Sequence, residues 1–152
     1  MPVKKMGVKI LRRYLYGSLL LIFIVVIFFN LYKYREQNLA DLVDINRVEK
    51  IYIMLGNKRP EGQFELSKAD DETIKTLTDF LSQYKVRLTT KGGYSSDHPS
   101  EQFELYLGYE DGDLGLFIFE RDIVAGGGIH KVLNPPLDYK VIEKLEQDIN
   151  SK

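Results

Sequence analysis

The chain has 152 residues, with 21 lysines and arginines against 22 aspartates and glutamates, and no cysteine. That length holds one domain with an appendage, and the lack of cysteine excludes a disulfide framework, a thiolate metal centre, a cysteine nucleophile and a lipidated-cysteine anchor. Charge is segregated: residues 1–35 carry seven basic side chains and no acid, whereas 36–152 carry 14 basic against 22 acidic ones, a balance that argues against a nucleic-acid partner.

Residues 14–29 read YLYGSLLLIFIVVIFF and contain no charge. Extended through residue 32, the run would rise about 28 Å as a helix, against a hydrocarbon core of about 30 Å. Tyr14, Tyr16, Tyr32 and Tyr34 flank it, where rings with one wet edge favour the headgroup layer. Lys4, Lys5, Lys9, Arg12 and Arg13 precede it, so the positive-inside rule predicts a cytoplasmic tail over 1–13 and an extracytoplasmic remainder. No Ala-x-Ala-like site follows the run closely, and the expectation is a retained signal anchor over 14–32 in a single-pass protein of the cell membrane. Leu39, Leu42 and Val43 fall at helical spacing, predicting an amphipathic stalk over 33–46 and an outer domain over 47–152.

Within that domain, Ile51, Ile53 and Leu55 alternate with Lys50, Tyr52 and Met54, the period of a strand over 48–55. Pro60 and Gly62 mark a turn into a short strand over 63–66, with Phe64 and Leu66 on one side. Asp70, Asp71 and Glu72 suit a helix start, and Ile74, Leu77 and Leu81 form its apolar stripe to about residue 83. A strand over 85–89 precedes the polar run 90–101, read as a loop. Strands 103–109 and 114–120 pair about the Asp111-Gly112 turn. Further strands fit 121–125 and 129–133, across Gly126-Gly127-Gly128, before Asn134, Pro135 and Pro136 stop the sheet. Val141, Ile142, Leu145 and Ile149 then stripe a final helix capped by Asp138. The pattern predicts an α+β fold in the order ββαββββα, a small antiparallel sheet with two helices on one face.

No motif identifies a reaction, and no catalytic, cofactor or metal residue is assigned. Ser95, Ser96, Asp97 and His98 are the residue types of nucleophilic hydrolysis, but a triad draws its members from separate elements; a solvated loop stiffened by Pro99 is the simpler reading. His98 and His130 have no zinc spacing, and His130 is expected on the polar face of its strand. The three glycines lack the following helix that a phosphate loop needs, and residues 110–113, EDGD, read as a turn without the ligand run of a calcium loop. Glu101 and Glu104 are expected on opposite strand faces in solvent. Two features are carried forward as candidate contact sites. One is the loop bearing Tyr94, Asp97 and His98; the other is an aromatic patch of Tyr106 and Tyr109, since Phe117 and Phe119 add more ring surface than one sheet face must bury.

Residues 116–145, LFIFERDIVAGGGIHKVLNPPLDYKVIEKL, resemble the closing part of small anchored or lipid-linked extracytoplasmic domains of uncharacterised function from Gram-positive bacteria. The shared pattern runs over 48–149: an early strand, a short striped helix, a hairpin ending in an aromatic strand, and a last helix after a tyrosine, here Tyr139. This chain has a transmembrane anchor in place of a lipidated cysteine. The resemblance implies no catalytic residues. The functional expectation is a membrane-tethered, non-enzymatic domain that binds a protein or cell-envelope partner without a cofactor. Two alternatives predict different things: a hydrolase gathers Asp97 and His98 into a pocket, and an accessory subunit of a membrane complex binds through residues 14–32.

Overall fold

The computed structural model describes residues 4–56, 65–90, 92–134 and 136–150. The chain divides into two units, Met1–Arg35 and Glu36–Lys152. The first is a single helix, α1, Lys4–Lys33. Its stretch Tyr14–Lys33 is long and apolar enough to cross a membrane, and none of it is buried by protein. The two polar side chains inside the apolar stretch are satisfied within the helix: Ser18 Oγ donates to the Leu15 carbonyl and Asn30 Nδ2 to the Val26 carbonyl, both at 2.9 Å. Such internal pairing is what a hydrocarbon surround demands of a polar group. At the far end the Arg35 guanidinium stacks 4.0 Å from the Tyr32 ring centre, a cation–π contact.

In the second unit, eight strands form one antiparallel sheet in the order β1-β4-β8-β7-β6-β5-β2-β3. They are β1 Glu36–Asn38, β2 Val48–Leu55, β3 Ser67–Lys68, β4 Lys85–Leu88, β5 Gln102–Tyr109, β6 Leu114–Glu120, β7 Ile123–Ala125 and β8 Ile129–Val132, with helices α2 Leu39–Val43, α3 Asp71–Leu81 and α4 Tyr139–Asn150. The fold is α+β as expected; the five strands read individually between α3 and α4 are present, one more than the order ββαββββα counts, and β1 and α2 precede β2. The expected strand over 63–66 lies partly outside the described residues; its described end, Glu65 and Leu66, is not extended into the sheet, and Ser67 and Lys68 pair with β2 instead.

Residues 36–46 of the expected stalk belong to the second unit. Their apolar members Leu39 and Val43 are fully buried, and β1 pairs with β4. The spacing of Leu39, Leu42 and Val43 did mark a helix. Asn38 interrupts it from α1 by capping α2, its Oδ1 accepting the Ala40 N–H at 2.8 Å, the role short polar side chains fill at helix starts.

One core lies on one face of the sheet. Ile51 and Ile53 of β2, Phe103, Leu105 and Leu107 of β5, Phe117 and Phe119 of β6, Val124, Val132 and Val86 meet Leu39 and Val43 of α2, Leu77, Phe80 and Leu81 of α3, and Ile142, Leu145 and Ile149 of α4. Phe103 and Phe119, directly opposite in register, stack with centroids 4.5 Å apart. Each helix arrives by a local signal. Asp70 caps α3 through the Thr73 N–H at 2.7 Å, and Asp138 Oδ1 accepts the Lys140 N–H at 3.1 Å at the start of α4. With α2, α3 and α4 gathered on the core face, no α-helix among the described residues of this unit packs on the opposite face of β2, β5 and β6.

Candidate functional site

The outer face is built by strand parity. On β5 the residues that alternate with the core positions are Gln102, Glu104, Tyr106 and Gly108, and on β6 they are Glu120, Ile118, Leu116 and Leu114, paired with them in that order. On β2, Met54, Tyr52 and Lys50 extend three of these four rows, those of Glu104, Tyr106 and Gly108. One end of this face is polar and roofed by the loop that follows β4. There Glu120 is 2% exposed, and its carboxylate accepts the Tyr94 hydroxyl at 2.5 Å and the Asp97 amide at 2.7 Å, together with the His98 amide. Gln102 and Glu104, also buried, extend the network: Gln102 Nε2 donates weakly to Glu104 at 3.5 Å, and the Tyr106 hydroxyl donates to Glu104 at 2.6 Å.

The electrostatics follow from that wiring. Burial pushes the Glu120 carboxyl up, but the hydrogen bonds from Tyr94 and Ser96 and from the His98 and Asp97 amides outweigh it and hold the group below the usual carboxylate range. For Tyr94, burial and then the adjacent Glu120 both raise the phenol, so it stays a protonated donor. Glu120 is thus a charged, buried anchor to which the loop is tied by its backbone.

The sequence candidates separate accordingly. Tyr94, Asp97 and His98 do come together, at Glu120, yet Asp97 and His98 contribute backbone amides while their side chains are exposed. The convergence of nucleophile and base that a hydrolase needs is not formed by these residues. Tyr106 and Tyr109 do not share a patch, because three residues apart on one strand they face opposite ways. Tyr106 meets Tyr52 edge to face at 6.2 Å on the outer face, whereas Tyr109 packs at the margin of the core and donates its hydroxyl to the Val43 carbonyl at 2.7 Å. Glu104, expected in solvent, is 8% exposed; Glu101 is half-buried, 3.4 Å from Arg121. His130, expected on the polar face, is 4% exposed among core residues, since it shares parity with Val132 and pairs with Val124 and Leu88. Its Nδ1 has no hydrogen-bond partner, and burial holds its pKa below the usual value against the pull of the Gly128 and Val124 carbonyls. Among the described residues no three His, Asp or Glu side chains gather as metal ligands.

The other end of the outer face is apolar and open. Leu114 is 79% exposed and Leu116 46%, beside the half-buried pair Tyr52 and Tyr106. Next to them, in the row Lys50, Gly108 and Leu114, lies a cleft of about 510 Å³. Gly108 floors it: a Cβ there would come within 3.3 Å of Lys50 Cβ and 3.4 Å of Leu66 Cδ1. Its acidic lining is Glu49, Glu65, Glu110 and Asp113.

Sequence reading missed Glu120 as an anchor and missed Leu114 and Leu116 as an exposed pair. A signal was present. In LGLFIFE both parities are apolar as far as Ile118, and a strand with two apolar faces is covered on both or exposes one. Comparison of the chain with known protein families, with characterised proteins and with solved structures finds no match.

Proposed function

We propose that this chain is a membrane-tethered binding domain. Residues 14–32 hold it in the cell membrane, the basic tail stays cytoplasmic, and the unit Glu36–Lys152 stands outside the cytoplasm of a Gram-positive type of cell, engaging a protein or cell-envelope ligand through the outer face of its sheet. The observation that carries the reading is that face: all three domain helices pack on the other side, and Leu114 and Leu116 are left exposed beside Tyr52 and Tyr106. Apolar surface in a contiguous, polar-rimmed patch marks an interaction site more often than it marks chance. The orientation rests on the five basic residues before the apolar run. The absence of enzymatic chemistry in this reading rests on the exposed side chains of Asp97 and His98.

The test is capture of the tagged full-length protein from gently solubilised membranes, with mass spectrometry of what co-purifies, alongside a Leu114→Ser, Leu116→Ser variant. A partner retained by the parent and lost by the variant is the expected result. Equal retention by both would place binding elsewhere, with the helix over 14–32 as the next candidate.

A further inference from the structure

We infer that the outer face takes a basic segment of a partner protein, with a lysine or arginine side chain entering the cleft over Gly108 and neighbouring apolar side chains lying on Leu114 and Leu116. This rests on the binding-domain reading and adds the chemistry of the partner. The occupant is fixed by charge and shape together. Among the described residues, four carboxylates, those of Glu49, Glu65, Glu110 and Asp113, line the cleft against the ammonium of Lys50. All four are exposed, and among the described residues none of them is ion-paired, whereas Asp44 and Asp111 meet Arg47, Asp79 meets Lys75 and Glu36 meets Arg87. Exposed acids elsewhere, Asp41, Asp71 and Glu72 among them, also lack an ion pair among the described residues, but at the cleft four such carboxylates line one concavity.

Shape agrees with charge. Long basic side chains lay an apolar stem on hydrocarbon and keep the charged head in a polar setting. Leu114 belongs both to the cleft wall and to the exposed apolar row, so one side chain can run its stem along the leucine and reach the carboxylates. An anionic ligand, whether a nucleic acid or an acidic lipid headgroup, meets the same four carboxylates as repulsion. Complementary charge at a partly exposed rim also makes the association salt-sensitive.

Full-length protein in zwitterionic phosphatidylcholine nanodiscs is titrated into a fluorescent peptide of alternating lysine and leucine, with empty nanodiscs as the blank and the glutamate-leucine peptide as counterpart. The expected result is saturable binding of the lysine peptide alone, weakened about tenfold or more by Glu110→Lys with Asp113→Lys and unchanged by Glu72→Lys with Glu143→Lys, which alter net charge equally on the exposed faces of α3 and α4. Both variants change exposed positions, and thermal melts check that they fold. Lack of binding, equal binding of the glutamate peptide, or equal losses in both variants would overturn the inference. If a native partner is captured through Leu114 and Leu116 while the lysine peptide does not bind, the binding-domain reading stands and the basic-segment inference falls. Failure of both experiments removes both.

Discussion

Two buried titratable residues set the domain's response to acid, with different thresholds. His130 sits among core side chains with Nδ1 unpartnered, and burial depresses its pKa below the ordinary value of 6.5. The folded state therefore resists the proton that the unfolded chain accepts. Its contribution to stability is complete above that ordinary value and declines as pH falls below it. Thermal melts between pH 7.5 and pH 5.5 should show a loss that His130→Leu abolishes; an unchanged slope in the variant would place the acid response elsewhere. Glu120 is also depressed, so the stability it confers is present above the ordinary carboxylate pKa of 4.5 and lost only as pH falls through its folded value. At neutral pH, Glu120→Gln keeps the shape and removes the charge from the hydrogen bonds that tie the loop to it, which should cost about 1–3 kcal/mol. Amide exchange of Asp97 and His98 should accelerate; unchanged protection there would mean that the loop is held by something other than this carboxylate.

The elements owe their positions to small local devices. Asp70 at the start of α3 is one, and Asp70→Ala should cost about 1 kcal/mol in denaturant unfolding, with a negligible change showing that α3 is held by its buried stripe alone. The turn between β7 and β8 is another. A Cβ at Gly126 would overlap the Phe117 ring, and at Gly128, where φ is +145°, it would stand 2.7 Å from Leu88 Cδ1. Gly126→Ala should therefore destabilise by about 1–3 kcal/mol through overpacking, while a melt unchanged from the parent would show that the ring can move aside. These elements were largely legible: alternation located β2, β5 and β6, the Asp111-Gly112 turn joined the last two, and apolar stripes located α3 and α4. What misled was parity in β8. The expectation put His130 outward, but Val132 is buried and His130 shares its face.

At the scale of the molecule, the boundary between anchor and domain decides what can be studied in solution. A fragment beginning at Arg47 lacks β1 and α2, and with them the fully buried Leu39 and Val43 and the nearly fully buried Ile45. Loss of even one such side chain from a core costs about 2–5 kcal/mol for leucine, against a total stability of about 5–15 kcal/mol for a typical domain. The fragment from Glu36 should unfold cooperatively on heating. The fragment from Arg47 should show no cooperative transition, and a comparable melt for both would demote β1 and α2 to accessories.

The sequence by itself determined the apolar helix over 14–32 and the α+β class, because both follow from local periodicity and from the length of an uncharged run. It also determined where the acids concentrate. Only the tertiary structure decided that Leu39 and Val43 belong to the core, that Glu120 gathers the loop over 90–101, and that Tyr106 and Tyr109 face apart. Each of these depends on which strands become neighbours. The pairing of β1 with β4 and of β5 with β6 joins residues far apart or sets their parity, and no window along the chain contains that information. The cleft over Gly108 is of the same kind: its carboxylates come from β2, the segment before β3 and the β5–β6 turn, and meet because the sheet places those pieces side by side.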